Sequence, residues 1–202
     1  MIRAVVVAIV VLSMGTPSLA QRRPDESNAR YDPLFKKYSK RFFGPAFDWR
    51  VFKAQAMAES NLSPTATSGV GARGLMQLMP TTFREVQTRN PELACIDHPE
   101  WNIAAGISYD RFLWRLWTEH PTLEDRRNFM LGSYNAGRGT LLRAQAAARA
   151  KQLDFCAWQS IAAVAPSVRG WRYLETLRYV TKIEGHLEEM KSGEVPTTPR
   201  SP

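Results

Sequence analysis

Apolar residues recur at helical spacing in the first third of the chain. Phe47, Val51, Ala54 and Ala58 stand at positions i, i+4, i+7 and i+11, which places them on one face of a helix. Polar residues fill the positions between them, and the pattern stops near Ser60. This spacing predicts an amphipathic helix that ends near Ser60.

Similar patterns continue to the end of the folded region. Pro80 suits the first turn of a helix. The segment 102–117 has two apolar stripes, which is typical of a helix in the centre of a domain. Further helices are predicted at 81–88, 124–136, 139–151 and 157–164, and a last one carries Tyr179, Ile183 and Leu187. Strand-like alternation is scarce, so the predicted class is all-α.

The first twenty residues differ from the rest. The run from Ala4 to Met14 is apolar except for Ser13, and Ser18 and Ala20 are the small residues of a cleavage site before Gln21. This is typical of a secretory signal peptide over 1–20 and predicts a periplasmic protein. The alternative is an uncleaved anchor, although the run is short for a bilayer span. No second hydrophobic span follows, so no transmembrane segment is expected in the mature chain.

Composition predicts three further regions. Residues 21–40 are expected to be a flexible lead-in, because the beginning of this segment is polar and contains prolines. Residues 191–202 hold three prolines and few apolar groups, which predicts a disordered tail. One domain is therefore expected over 41–190.

The formal net charge of the chain is +8, and its basic residues are dispersed. A basic surface attracts polyanions. For an exported protein, an acidic wall polymer or a membrane surface is a better candidate than nucleic acid, and no nucleic-acid partner is expected. A generally solvated basic face is the simpler interpretation.

Cysteine and histidine usage gives little chemistry. Cys95 and Cys156 are the only cysteines, and outside the cytosol they could form a disulfide. Two buried thiols are the alternative. Two cysteines and three scattered histidines make no metal-ligand pattern, so neither a metal nor a cofactor is expected.

Residues 69–74 (GVGARG) match the dinucleotide-binding pattern G-x-G-x-x-G. That pattern must follow a strand and open a helix. Here a predicted helix and the polar segment 63–67 precede the glycines, and no second strand follows. A nucleotide site is therefore rejected, and the glycines are expected to make a tight turn.

The carboxyl of Glu59 is a candidate general acid. It lies at the C-terminal end of the predicted helix, where the helix dipole disfavours a negative charge. Its helical neighbours Phe52 and Ala56 would limit its hydration, which also raises the pKa of a carboxyl. A raised pKa lets a carboxyl donate a proton near neutral pH.

Four blocks of sequence carry a family resemblance. In chain order they are AESNLSPTATSGVGARGLMQLMP (58–80), NIAAGISY (102–109), SYNAG (133–137) and ETLRYVTKI (175–183). Together they strongly resemble the soluble-type lytic transglycosylases, which share their fold with goose-type lysozymes. The resemblance spans about 50–185. Ser133, Arg138 and Leu177 depart from the common pattern, which leaves the fine substrate preference open.

The resemblance implies a lysozyme-like helical domain with a groove that binds peptidoglycan strands. It implies that Glu59 acts first as acid and then as base, with help from the substrate's N-acetyl group, and leaves a 1,6-anhydromuramoyl end without consuming water. Most glycosidases use two carboxylates. Asp97, Asp110 and Glu175 are candidates for a second acid by position only, and structural or surface roles are preferred for them.

The same resemblance implies the residues of the groove. The residues expected to bind glycan are Ser68, Gln77, Met79, Tyr134, Asn135 and Tyr179. For Ser68 and Gln77 the alternative is that they orient Glu59. A lysozyme-like hydrolase and a non-catalytic wall-binding protein are the alternatives. By analogy, the chain could serve a secretion, conjugation or pilus apparatus.

Overall fold

Eight α-helices account for most of the computed structural model, which describes residues 29–193. They are α1 (Asp32–Phe43), α2 (Arg50–Ser60), α3 (Pro80–Arg89), α4 (Pro99–Leu116), α5 (Leu123–Ala136), α6 (Arg138–Ala150), α7 (Trp158–Val164) and α8 (Tyr173–Ser192). A short 3-10 helix, Ala165–Ser167, follows α7. No strand occurs within 29–193, where only isolated bridges form, so the all-α prediction is confirmed. The predicted signal peptide lies outside the described residues.

The helical periodicity of the sequence corresponds to burial in the structure. Val51 and Ala54 on α2 are buried, and α2 ends at Ser60 as its pattern predicts. The helix predicted from two apolar stripes is α4, and it lies in the centre of the molecule. Its residues Ile103 and Ile107 are fully buried.

The helices enclose two adjoining apolar clusters. The larger cluster joins α1, α2, α4 and α8 with the segment between α2 and α3. The smaller one lies among α5, α6 and α7, around Phe129, Leu141 and Ile161. Within the larger cluster α8 packs along α2, and α1 packs along α4. The pairing of α2 with α8 brings two of the predicted site residues together.

The flexible lead-in predicted at 21–40 is wrong from residue 32 onward, and its residues 21–28 lie outside the described residues. Residues 32–43 form the helix α1, and the side chains of Phe35 and Tyr38 are almost completely buried. The Tyr38 hydroxyl also donates to Glu100 Oε1 on α4 at 2.7 Å. Charged residues interrupt this apolar stripe and mask it in the sequence. The domain therefore includes α1, and at its other end α8 continues to Ser192, two residues into the predicted tail. Residues 194–202 of that tail lie outside the described residues.

The hydropathy of the helices bears on the membrane prediction. Among residues 29–193, none of the helices combines the length and the apolar character needed to cross a bilayer.

Burial of α1 gives a testable prediction. Phe35→Ala should lower the free energy of unfolding by about 3–5 kcal/mol, because it opens a cavity in the core. The matched control is Lys40→Ala, on the exposed face of the same helix, with an expected change within about 0.5 kcal/mol. Both are measured by urea unfolding. Equal unfolding midpoints for the two variants would contradict the assignment of α1 to the core.

Candidate active site

Glu59 is the penultimate residue of α2, where the helix ends abruptly. Asn61 and Leu62 both adopt left-handed backbone conformations, with φ of 51° and 59°. The Asn61 N–H donates to the carbonyl of Met57 and the Leu62 N–H to that of Ala56, which caps the last turn. A buried leucine in this conformation is strained, and such strain persists only where surrounding packing enforces it. The cap therefore fixes where the Glu59 carboxyl emerges from α2.

The Glu59 carboxyl contacts α8 directly. The buried Tyr179 hydroxyl donates a hydrogen bond of 2.6 Å to Glu59 Oε1. One turn further along α8, Lys182 Nζ donates to the Ala58 carbonyl at 3.3 Å. The structure thus brings together the two residues expected to lie at the catalytic centre, although they are 120 positions apart.

Burial raises the pKa of Glu59 from 4.5 to about 7. The hydrogen bond from Tyr179 and the positive charge of Lys182 favour the ionised form and act in the opposite direction, but burial outweighs them. The predicted rise of this pKa is confirmed. The side chain is only partly covered, so a ligand can reach it. A reachable carboxyl that is substantially protonated near pH 7 can act as a general acid.

The segment between α2 and α3 folds as a compact loop beside Glu59. Ser60 Oγ donates to the Leu75 carbonyl at 2.8 Å, which ties the end of α2 to this loop. Backbone hydrogen bonds between residues 73 and 78 close a tight turn. Gly71 and Gly74 have φ of 88° and 76°, values that glycine adopts without strain. The glycines therefore serve the turn, and a helix rather than a strand precedes the loop, so the rejection of a nucleotide site is supported.

Asn102 on α4 fixes the loop through side-chain hydrogen bonds. This role was not predicted from the sequence. Its Oδ1 accepts from the Met76 N–H at 2.8 Å, and its Nδ2 donates to the carbonyls of Arg73 and Ile96, each at 2.9 Å. A Cβ at Gly74 would overlap this amide, so close approach requires glycine there. Asn102 begins the block NIAAGISY, which was the available sequence clue.

The loop residues expected to bind glycan have their own hydrogen bonds. Ser68 Oγ accepts from the Ala72 N–H at 2.9 Å. Gln77 has φ of 43°, and its Nε2 donates to the carbonyls of Ala66 and Gly74. Among residues 29–193 neither side chain has a hydrogen bond to Glu59, and an orienting role for them stays a prediction. Their binding to glycan stays a prediction.

Met79 is the last residue of this loop, and Tyr134 contacts the loop from α5. Met79 precedes the first residue of α3, and 38% of its surface is exposed, which suits contact with a ligand. Tyr134 on α5 donates its hydroxyl to the Met76 carbonyl at 2.8 Å, and its ring meets that of Tyr109 edge-on. Tyr134 thereby holds the loop, while its glycan contact stays a prediction.

Asn135 lines a cavity at the N-terminal end of α8. The Trp171 indole N–H donates to Thr176 Oγ1 at 2.9 Å, and the Thr176 hydroxyl donates to Asn135 Oδ1 at 2.8 Å. The amide oxygen of Asn135 is thus already hydrogen-bonded to Thr176. The amide N–H groups of Asn135 remain as donors for a ligand. Neither Trp171 nor Thr176 was predicted as a site residue from the sequence. A cavity of about 220 Å³ lies here, one turn of α8 before Tyr179, and Arg172 lies on its rim.

Each of the three candidate second acids is either in an ion pair or fully buried. Asp97 forms an ion pair with Arg73 at 2.9 Å, and Glu175 forms one with Arg172 at 2.8 Å. Asp110 is fully buried, so a substrate cannot touch it. The preference for structural or surface roles agrees with these positions.

The tentative disulfide is wrong in the structure. Cys95 and Cys156 are separate thiols, the first exposed and the second partly buried. Cys95 lies in the loop before α4, and Cys156 lies between α6 and α7 beside the other apolar cluster, which keeps them apart. The alternative of two buried thiols is not observed either. Within residues 29–193, no group of three or more potential metal ligands occurs.

The fold and site define a class of protein: an all-α domain in which one partly buried glutamate, with a raised pKa, lies at the end of a helix beside a compact loop. The family described as "Transglycosylase SLT domain" matches residues 34–154. The chain belongs to this family.

Curated relatives cover most of the chain. The Membrane-bound lytic murein transglycosylase F of Vibrio parahaemolyticus is 32% identical over 158 residues, which is 78% of this chain. That of Desulfosudis oleivorans is 32% identical over 176 residues, or 80% of this chain. The chain spans only 28% and 36% of the length of these two relatives.

Solved structures agree with the fold. The 70 kDa soluble lytic transglycosylase of Escherichia coli superposes with a TM-score of 0.63 at 26% identity, over 83% of this chain and 25% of that one. A complex of the 70-kDa soluble lytic transglycosylase with bulgecin A gives a TM-score of 0.65 at 25% identity, over 84% and 25%. The expected lysozyme-like helical domain is confirmed.

The raised pKa of Glu59 predicts a pH-dependent cost in stability. The folded state binds a proton that the unfolded chain has lost between pH 4.5 and about 7, so stability falls as the pH rises through this window. Glu59→Gln removes the charge and should therefore stabilise the protein by roughly 2–3 kcal/mol at pH 8 and little at pH 4. Urea unfolding at both values measures this. Glu189→Gln, at an exposed site on α8, is the control; equal effects of the two variants at pH 8 would contradict the account.

Proposed function

We propose that the protein is a peptidoglycan lytic transglycosylase, which cleaves the β-1,4 bond between N-acetylmuramic acid and N-acetylglucosamine. The single observation that carries this proposal is the partly buried Glu59 carboxyl, with a pKa of about 7, hydrogen-bonded to Tyr179 at 2.6 Å. Membership of the transglycosylase SLT domain family and the names of the lytic murein transglycosylase relatives support the same substrate class.

In the first step the protonated Glu59 donates its proton to the glycosidic oxygen. The bond from that oxygen to C1 of N-acetylmuramic acid breaks, and the substrate's own N-acetyl group assists at C1. Glu59 is then a carboxylate, and the Tyr179 hydroxyl and the Lys182 charge both stabilise this form. The protein can thus supply a proton and tolerate its loss.

In the second step the same carboxylate acts as base. It takes the proton from the C6 hydroxyl of N-acetylmuramic acid, whose oxygen bonds to C1 and closes the 1,6-anhydro ring. Glu59 ends the cycle protonated, and no water is consumed. This sequence needs one carboxyl, which suits a site where Asp97 and Glu175 are in surface ion pairs and Asp110 is inaccessible.

We assign glycan binding to the residues around Glu59. The exposed Met79 offers an apolar contact, and Asn135, whose amide oxygen already accepts from Thr176, lines a cavity large enough for part of a sugar. Ser68, Gln77 and Tyr134 complete the groove by shaping the loop that a strand would cross.

We place the activity at the cell wall, outside the cytoplasm. The relatives' names, membrane-bound lytic murein transglycosylase, support this location. A periplasmic position reached through the predicted signal peptide, and service to a secretion, conjugation or pilus apparatus, are part of the proposal and rest on sequence and analogy.

Digestion of purified murein tests the proposed reaction. Mass spectrometry should find muropeptides that end in 1,6-anhydro-N-acetylmuramic acid, each one water lighter than the corresponding reducing end. The rate should fall as the pH rises through about 7, because the acid form of Glu59 is lost.

Variants of the same protein supply the controls. Glu59→Gln should reduce turnover by about 10³-fold or more while murein binding, measured by co-sedimentation, survives. Glu189→Gln should retain the wild-type rate. Reducing ends in place of anhydro ends would identify a lysozyme-like hydrolase, and full activity of Glu59→Gln would overturn the assignment of the acid. Binding without cleavage by the wild-type chain would identify a wall-binding protein.

A further inference from the structure

A second carboxyl lies buried next to the catalytic centre. Asp110 on α4 is fully buried, as is Gln55 on α2. Gln55 Nε2 donates to Asp110 Oδ1 at 3.4 Å. Gln55 precedes Glu59 by four residues, so both side chains project from the same face of α2. Asp110 therefore contacts α2 one turn below the Glu59 carboxyl.

Two polar atoms of this pair have no hydrogen-bond partner within the described residues. They are Asp110 Oδ2 and Gln55 Oε1, and both are buried. If Asp110 were a carboxylate, both atoms would be acceptors facing an apolar interior. A protonated Asp110 has an O–H to donate, and Gln55 Oε1 is an acceptor on the side chain that already contacts it. Protonation thus satisfies both atoms in one carboxyl–amide pair with two hydrogen bonds.

The titratable groups around Asp110 also offer it no positive charge. The titratable groups near it are Glu59 on α2, Tyr109 on α4, Tyr134 on α5 and Tyr179 on α8. All are acids, and none of the ion pairs between residues 29 and 193 includes Asp110. Burial raises the pKa of Asp110 well above its usual range, and the charge of Glu59 raises it further.

The state of Asp110 matters to Glu59 because charge repulsion is mutual. The proposed reaction leaves Glu59 as a carboxylate between its two steps. A negative Asp110 would disfavour that carboxylate, whereas a neutral Asp110 would not. The polar pair also joins α4 to the turn of α2 that carries Glu59.

We propose that Asp110 is a protonated, neutral positioning residue, which pairs with the Gln55 amide and thereby holds the α2 turn of Glu59 without opposing the charge that Glu59 acquires. This inference rests on the proposed function for its kinetic consequence, but the protonation of Asp110 can be measured independently of activity.

The first test replaces the proposed neutral acid by its uncharged isostere. Asp110→Asn can form the same two hydrogen bonds with Gln55, so kcat/KM should stay within about twofold of wild type. The fall of the rate with rising pH should also keep its midpoint near 7. A midpoint about one unit lower in Asp110→Asn would overturn the proposal, because it would mean that wild-type Asp110 carries a negative charge that raises the pKa of Glu59.

The second test removes the polar pair. Asp110→Leu should lower kcat about tenfold and leave KM within about twofold, because the acid is misplaced while the groove is intact. Gln55→Leu should do the same, and the double variant should be no worse than either single one, since both remove one interaction. Wild-type kcat in folded Asp110→Leu, or losses that multiply in the double variant, would overturn the positioning role.

The third test measures the protonation of Asp110 by NMR. It depends neither on activity nor on whether the leucine variants fold. The sample is the Glu59→Gln protein labelled with ¹³C at its aspartate carboxyls. The Asp110 resonance is identified by its loss when Asp110→Asn is added. From pH 5 to pH 8 this resonance should keep the chemical shift of a protonated acid. A carboxylate shift in this range would overturn the proposal. If wild-type protein gave no anhydro products, the proposed function would fail while this measurement still decided the state of Asp110.

Discussion

The hydrogen bond from Tyr179 to Glu59 is the contact on which the site depends. It joins the end of α2 to the middle of α8, and it places an ionisable carboxyl where burial keeps its proton near pH 7. The Tyr179 hydroxyl and the Lys182 charge stabilise the carboxylate and lower the pKa of Glu59, but burial still holds that pKa at about 7. The balance between burial and these two groups makes one carboxyl suitable both as acid and as base.

The backbone that follows this carboxyl in the chain is strained. Asn61, Leu62 and Gln77 all have positive φ, and all three lie in the segment that runs from Glu59 to α3. Conformations of this kind persist where neighbouring structure fixes them, and they are common at functional sites. Here Ser60 ties the end of α2 to the loop and Asn102 ties the loop to α4, so hydrogen bonds on both sides fix the position of the loop beside Glu59.

The helices around the site were predictable because periodic burial leaves a pattern in the sequence. Glu59 was predictable because it lies at the end of a helix inside the block 58–80 that carries the family resemblance. Contacts between distant segments leave no such pattern. The approach of Tyr179 to Glu59 came from family resemblance alone, and the Gln55–Asp110 pair depends on how α2 crosses α4. The helix α1 was missed because lysines and arginines interrupt its buried stripe, and the cysteine pairing failed because spacing along the chain says nothing about distance in the fold.

Burial lets Glu59 keep its proton near neutral pH, and the hydrogen bond from Tyr179 limits the rise of its pKa. A ¹³C NMR titration of the glutamate carboxyls, with Glu59 assigned by its loss in Glu59→Gln, measures this directly. The account predicts a midpoint near pH 7 for Glu59 in the wild-type protein and a higher midpoint in Tyr179→Phe, where the carboxylate loses its donor. A midpoint near 4.5, or a lower one in Tyr179→Phe than in wild type, would contradict it.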